Sequence, residues 1–450
     1  MAAAGRLLKV FTTLFGDGLP LRIRAWDGSE AGPEGGPVLW VRDRQALRRI
    51  ARQPNELGLG RAYVAGELDV DGDLYTALER LSVIRGRPLL RAIDKAELLR
   101  QATLLGVLGG EPDPPPEEIG HLAGAKHSRD RDRAAISHHY DVGNEFYRLV
   151  LGPTMVYSCA YFTAPAATLE EAQQAKLDLI CRKLGLGPGS RLLDVGCGWG
   201  SLALHAAKEY GADVVGVTLS EQQLELARER AAQAGLDGRV DFRLQDYRDV
   251  ADGPFDAVSS VGMAEHVGEE EYAGYCARLF ELLRPGGRLL NHQISRSPAS
   301  SPAQPSFIES YVFPDGDLSP AGLTLSLIEG AGFEVRDFES LREHYTSTLL
   351  AWAANLDAGW ERAVKLTSEG RARVWRLYMT ASALGFKYGQ IGVNQILAVR
   401  PLPGGGSGMP PTRAEWLGQP DLAQPGLAQP GILQPGSGGL GTVAGQAGHV

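Results

Sequence analysis

The sequence predicts an α/β protein: a doubly wound, Rossmann-like sheet preceded by a small α/β domain. Three observations carry this. RLLDVGCGWG (191–200) reads as a buried strand, a glycine turn and the opening of a helix. Further strand segments follow, DVVGVTLS (213–220), VDFRLQDYRDV (240–250) and FDAVSSVGMAEHVG (255–268), each running into polar or acidic residues. LLRPGGRLLNHQIS (282–295) then sets a Pro-Gly-Gly turn directly before another strand. Strands that alternate with helical stretches pair in parallel through crossover connections.

In the first segment Leu192, Leu193 and Val195 supply the buried strand, with Asp194 near its carboxyl end. Gly196, Gly198 and Gly200 let the backbone turn sharply and approach a ligand where a Cβ would clash. A G-x-G-x-G turn alone is a weak signal, shared by NAD, FAD and S-adenosylmethionine (SAM) sites. A dinucleotide site places an acid on the ribose about 20 residues later. Here that position reads Thr218, Leu219, Ser220, followed by Gln222 and Gln223, and no carboxylate stands there. This argues against NAD. The succession of strands and the RPGG turn follow the order of a class I SAM-dependent methyltransferase sheet, in which Asp246 is placed to accept from an adenine amino group.

Composition bounds the rest. A chain of 450 residues with 44% hydrophobic content accommodates two domains plus appendages. No run approaches the ~20 apolar residues of a membrane span. Cys159, Cys181, Cys197 and Cys276 are scattered, so neither a zinc site nor a disulfide framework is expected, and a cytoplasmic protein is. The net charge of −9 argues against nucleic acid as a partner. Two basic clusters, VRDRQALRRIARQ (41–53) and KHSRDRDR (126–133), read as solvated helix faces or as contacts to anionic lipid headgroups at the inner face of a membrane.

Along the chain, residues 1–108 form the small α/β domain. A short N-terminal helix leads into strands at 19–28 and 36–43, and helices follow at 45–53, after 67 and at about 87–108. EPDPPPEEIG (111–120) is acidic, proline-rich and unable to continue a helix, so 109–133 is a linker. The catalytic domain spans 134–402. The Gly/Pro/Gln-rich stretch 403–450 has too little apolar content to build a core and is expected to be disordered.

Before the glycine turn stands HHYDVGNEFYRLVLGPTMVYSCAYF (138–162), dense in aromatics in a chain that is 7% aromatic. An amphipathic helix with Phe146, Tyr147 and Leu149 facing inward explains part of it. It does not explain Tyr157, Ser158 and Cys159, whose polar atoms need partners when buried. At these residues the chain resembles the cyclopropane fatty acid synthases and mycolic acid cyclopropane synthases. HYDVGNEFY, MVYSCAYF, EEAQQAKLDLIC, LLDVGCGWG, GVTLSEQQ, LQDYRD, VGMAEHVG and IESYVFPDG are near-verbatim blocks of that family, in family order over about 138–400. The resemblance implies a seven-stranded doubly wound sheet, with a helical lid over an acyl-chain tunnel.

It also implies a chemistry: methyl transfer from SAM to a cis double bond of a phospholipid acyl chain, then deprotonation of the resulting carbocation by a bound bicarbonate. The bicarbonate ligands fall at Cys159, Glu265, His292 and Tyr345, with the backbone of Ile294. SAM is expected at Tyr157, Ser158, Asp194, Gly196, Gly198, Thr218, Leu219, Gln223, Asp246 and Tyr247. Glu309, Tyr311 and Phe313 are expected to line or close the acyl tunnel. Cys197 reads as a small filler, His266 as structural or cofactor-adjacent, and His138 and His139 as shaping the lid. Two outcomes of the same transfer stay open: a cyclopropane, or a methylene branch on the route to a 10-methyl chain that a flavin-dependent reductase saturates. A small-molecule methyltransferase is a more distant alternative. A homodimer peripheral to the membrane is expected.

Overall fold

The computed structural model describes residues 1–15, 20–82, 100–107, 109–110, 112–120, 124, 126, 128–129, 131, 142–298 and 306–417. His138, His139 and half of the cluster 126–133 lie outside the described residues, as do 87–99 of the third expected helix; residues 100–104 are helical.

The larger sheet has seven strands: β5 (Arg191–Val195), β6 (Asp213–Thr218), β7 (Val240–Leu244), β8 (Phe255–Val261), β9 (Leu283–Arg296), β10 (Glu334–Ser340) and β11 (Ile391–Val399). Their order is β10-β11-β9-β8-β5-β6-β7. Strands β5 to β9 pair in parallel, and β11 runs antiparallel to both β9 and β10. Every residue of β5 after Arg191 is buried, as a strand covered on both faces requires. The chain winds from β5 to β6 and β7 on one side, then returns to β8 and β9 on the other. The strand order therefore reverses between β5 and β8, where open sheets of this kind bind ligands beyond the carboxyl ends.

One face of the sheet carries an aromatic core built with helices Asn144–Leu151, Arg342–Ala358 and Glu369–Lys387. Phe146, Tyr147 and Val150 are its inward residues on the first helix, whereas Leu149 is half-buried. Helix Leu169–Leu184 starts with a capping box, Thr168 and Glu171, and ends at Gly185 in the left-handed conformation.

The smaller sheet has the order β2-β1-β3-β4, from β1 (Arg22–Arg24), β2 (Glu30–Ala31), β3 (Val38–Val41) and β4 (Leu68–Asp71). Its own core joins Leu7 and Ala4 of helix Ala3–Phe15 to Ile23, Leu39 and Ala46. Both sheets lie in one compact unit, Met1–Met409; Pro410–Val450 is a second. In the stretch expected to be disordered from 403, Leu402 N–H donates to Gly406 in a turn and Arg413–Leu417 is a short helix. Residues 418–450 lie outside the described residues.

The guanidiniums of the first basic cluster are used within the fold. Arg42 pairs with Asp69, Arg44 covers Trp26, Arg49 pairs with Glu67 while buried, and Arg48 and Arg52 donate to the carbonyls of Gly106 and Gly109. In the second cluster Arg129 pairs with Asp249 and Arg131 with Asp315. No described helix is long and apolar enough to cross a membrane.

Candidate active site

A cavity of about 440 Å³ opens at the switch point between β5 and β8. All the residues expected at the cofactor line it: Tyr157, Ser158, Asp194, Gly196, Gly198, Thr218, Leu219, Gln223, Asp246 and Tyr247. The glycine turn shapes it. Gly200 has φ +80°, and a Cβ there would stand 2.4 Å from Phe242 Cζ, so helix Ser201–Tyr210 begins in place only with glycine. Cys197 and His266 are also on the wall. Burial holds the Cys197 thiol well above its usual pKa, as befits a filler rather than a nucleophile.

The wall is polar at chosen points. Buried Asp194 accepts from Ser259 Oγ at 2.7 Å. Burial pushes its pKa up to about 6, opposed by that hydrogen bond and by the charge of Lys176. Thr218 Oγ1 donates to Gln223 Oε1 at 2.8 Å, which fixes both side chains. Asp246 holds Arg248 through both carboxylate oxygens, at 2.8 and 2.6 Å. Burial works against its ionised form, but the Arg248 hydrogen bonds outweigh it and the pKa falls. Arg248 therefore shares the acceptor that the sequence reading reserved for adenine.

Lys176 is one of the wall residues that sequence reasoning passed over. It is 2% exposed and donates to Ser158 Oγ at 2.7 Å. Desolvation lowers its pKa to about 8, against the pull of Cys159 and Asp194. A signal was present: Ala172, Gln173, Lys176, Leu177, Ile180 and Cys181 are buried on one face of their helix, so the lysine interrupts an apolar stripe. Its charge reaches a second cluster too, since it disfavours protonation of His292.

That cluster joins three of the five residues expected to hold a base. Glu265 stands in the short turn after β8, and His292 and Ile294 lie on β9. The Ile294 N–H donates to Glu265 Oε1 at 2.8 Å. Glu265 Oε2 and both His292 ring nitrogens are buried without a hydrogen-bond partner. Burial raises Glu265 to about 7, the Ile294 amide opposing it, and keeps His292 neutral. Cys159 and Tyr345 belong to the aromatic core against which Ile294 packs. Cys159 contacts the Leu341 carbonyl, and the Leu341 N–H donates to Val393, the residue paired with Ile294. Burial holds the Cys159 thiol protonated. Tyr345 packs on Phe386 and Trp352, at 4.6 and 6.0 Å between ring centres. Gln395, not foreseen, is fully buried beside this cluster.

None of Glu309, Tyr311 and Phe313 lines the cavity. Ser306 Oγ accepts from the Glu309 N–H as the cap of helix Phe307–Tyr311. Tyr311 stacks on Phe307 and its hydroxyl donates to Glu118 at 2.8 Å, which ties it to the linker. Phe313 alone turns toward the site, with its ring edge-on to His266 and Tyr378.

A family model described as mycolic acid cyclopropane synthetase matches residues 127–396. A Pseudomonas putida protein named "probable fatty acid methyltransferase" is 42% identical over 405 residues, 88% of this chain and 96% of that one. A tuberculostearic acid methyltransferase of Mycobacterium tuberculosis is 35% identical over 424 residues, 89% of this chain and 91% of its own length. Among solved structures, the mycolic acid cyclopropane synthase CmaA1 complexed with SAH and CTAB superposes with a TM-score of 0.56 at 36% identity, covering 59% of this chain and 97% of that one. The chain belongs to the mycolic acid cyclopropane synthetase family and is a SAM-dependent methyltransferase.

Proposed function

We propose that the enzyme methylates a cis double bond in a phospholipid acyl chain and closes a cyclopropane ring. One observation carries this reading: the cofactor cavity adjoins a buried acid–imidazole cluster whose outward atoms have no partner, set in an aromatic core. Bound SAM supplies a methyl group on an electrophilic sulfonium. An isolated alkene has no proton to lose first, so forming the new C–C bond as the C–S bond breaks leaves a carbocation on the acyl chain. Loss of a proton from the transferred methyl then lets its C–H electrons close the ring.

The chain's own groups suit each demand. Tyr157 lies among Tyr147, Trp352 and Trp375, with ring centres 5.4 to 5.9 Å away, and electron-rich faces stabilise a nearby cation. Helices Arg342–Ala358 and Glu369–Lys387 act as the lid that keeps water out. Cys159, Glu265, His292 and Tyr345 hold a bicarbonate, a base of suitable strength for the methyl proton, and the Ile294 N–H holds Glu265 in place. Its fit rests on the unpartnered Glu265 Oε2 and His292 nitrogens, which offer one hydrogen-bonding side of a small oxyanion site.

A second reading, a methylene-branched product, is favoured by the similarity to the tuberculostearic acid methyltransferase along 89% of the chain. It needs only a hydride shift before the proton leaves. Incubation with SAM and oleoyl-phospholipid vesicles, followed by NMR of the released fatty esters, separates the two. High-field ring protons establish the cyclopropane, vinylidene protons the branch, and no lipid product removes both.

SAM binding should depend on pH through the cavity's own charges. A cationic ligand is favoured once Asp194 ionises, near pH 6, and again once Lys176 loses its proton, near pH 8. Affinity is therefore expected to rise from pH 6.5 to 8.5, by up to about tenfold per pH unit below the lysine pKa, and then to level off. Calorimetric titration of Lys176→Met should leave a single step, that of Asp194, moved to higher pH because the lysine charge no longer opposes the effect of burial; a variant with both steps retained would assign the upper one to another group.

A further inference from the structure

Gln395 is 0% exposed, and neither its amide nitrogen nor its amide oxygen has a hydrogen-bond partner. It lies on β11, an inner strand whose backbone groups are committed to β9 on one side and β10 on the other. Its flanking residues on the same face, Val393 and Leu397, are buried and apolar. An apolar side chain at 395 would avoid the desolvation that an unpartnered amide suffers. The register explains why a glutamine is kept. Gln395 pairs directly with His292 across the antiparallel ladder, so both side chains leave the same face with Cβ atoms about 5 Å apart.

Four buried polar atoms without a partner thus stand on one face of two adjacent strands: the two His292 nitrogens and the two ends of the Gln395 amide. Glu265 Oε2 is a further unpartnered atom, and its sister oxygen accepts from Ile294, two residues along β9 from His292. A bond between Gln395 and His292 would satisfy only one atom of each. The backbone donor expected from the family resemblance, the Ile294 N–H, is engaged by Glu265. A small oxyanion here is short of one neutral N–H donor.

We propose that the Gln395 side-chain amide is a direct ligand of the bicarbonate in this pocket, donating through Nε2 in the place of the engaged Ile294 amide. This rests on the reading of the pocket as a bicarbonate site. His292, neutral because of burial and the charges of Lys176 and Lys183, contributes one N–H, and Glu265 accepts the bicarbonate hydroxyl. The amide adds a donor without adding a charge, so it does not compete with the developing carbocation.

The test uses the full-length enzyme and 13C-bicarbonate, with NMR line broadening as the readout and SAM affinity measured in parallel. Gln395→Met and Gln395→Leu remove the amide with two different packings, so either one that folds suffices. The expected result is bicarbonate affinity at least about tenfold weaker, as for loss of one hydrogen bond to a charged group. SAM affinity should stay unchanged, and the melting temperature without bicarbonate should be equal or higher. Bicarbonate affinity equal to that of the parent overturns the proposal and leaves the pocket standing. A lower melting temperature with unchanged bicarbonate affinity makes Gln395 purely structural. A parent enzyme that binds no bicarbonate overturns the pocket reading and the proposal together.

Discussion

Replacing Glu265 by Gln is expected to lower turnover about 10³-fold, the size of effect that a positioned acid–base group commands. The substitution is isosteric and keeps an oxygen for the Ile294 N–H, so the cavity and SAM affinity should be preserved. The same change should stabilise the protein, in a pH-dependent way. Burial raises the Glu265 pKa from 4.5 to about 7. A carboxyl raised in the folded state costs nothing at pH values where folded and unfolded chains both keep it protonated. The cost grows as pH rises from about 4.5, where the unfolded chain ionises, to about 7, and is constant above that. It amounts to about 3 kcal/mol at full size. Denaturant unfolding should therefore show Glu265→Gln more stable than the parent at pH 8, and equal to it at pH 4. Turnover at the parental rate would sink the base-site reading and turn attention to a methyl acceptor that needs no such acid.

The lining of the cavity was legible because its residues come in short contiguous blocks. The glycine turn, the β6 end and the Asp246–Tyr247 pair each owe their place to local geometry at a strand terminus. Lys176 and Gln395 were not legible in the same way. A lysine in a helix and a glutamine in a strand are ordinary until burial and cross-strand register are known. The fold divides likewise. Strands β5 to β9 announce themselves by apolar runs ending in turns, whereas helix Glu56–Val64 was missed. Its sequence, ELGLGRAYV, contains two glycines that lower helix propensity. Packing decides the matter there. A Cβ at Gly58 would stand 2.0 Å from the Gln53 carbonyl oxygen, and one at Gly60 would stand 2.3 Å from Phe307. Asn55 then caps the helix by accepting from Leu57 and Gly58.

That helix is also one side of the joint between the two sheets, and the joint turns on one residue. Arg373, with a side chain 5% exposed, reaches from helix Glu369–Lys387 into the small domain. Its guanidinium donates to the carbonyls of Tyr63 and Leu68, at 2.6 and 2.9 Å, pairs with Asp69 at 3.2 Å and lies 4.4 Å above the Tyr63 ring. Arg373→Met should therefore destabilise the protein by about 3–5 kcal/mol, because two buried carbonyls and a carboxylate lose a partner at once. Arg373→Lys should recover only part of this, since a point charge cannot span three acceptors as a planar fork does. Asp69 keeps Arg42 at 2.7 Å, so adding Asp69→Asn to Arg373→Met should restore little if the carbonyls dominate and most if the carboxylate does. The double-mutant cycle, read by denaturant unfolding, apportions the joint between these terms. A loss below about 1 kcal/mol in Arg373→Met would show instead that apolar contacts hold the sheets together, such as those of Leu57 and Val64 with the aromatic core.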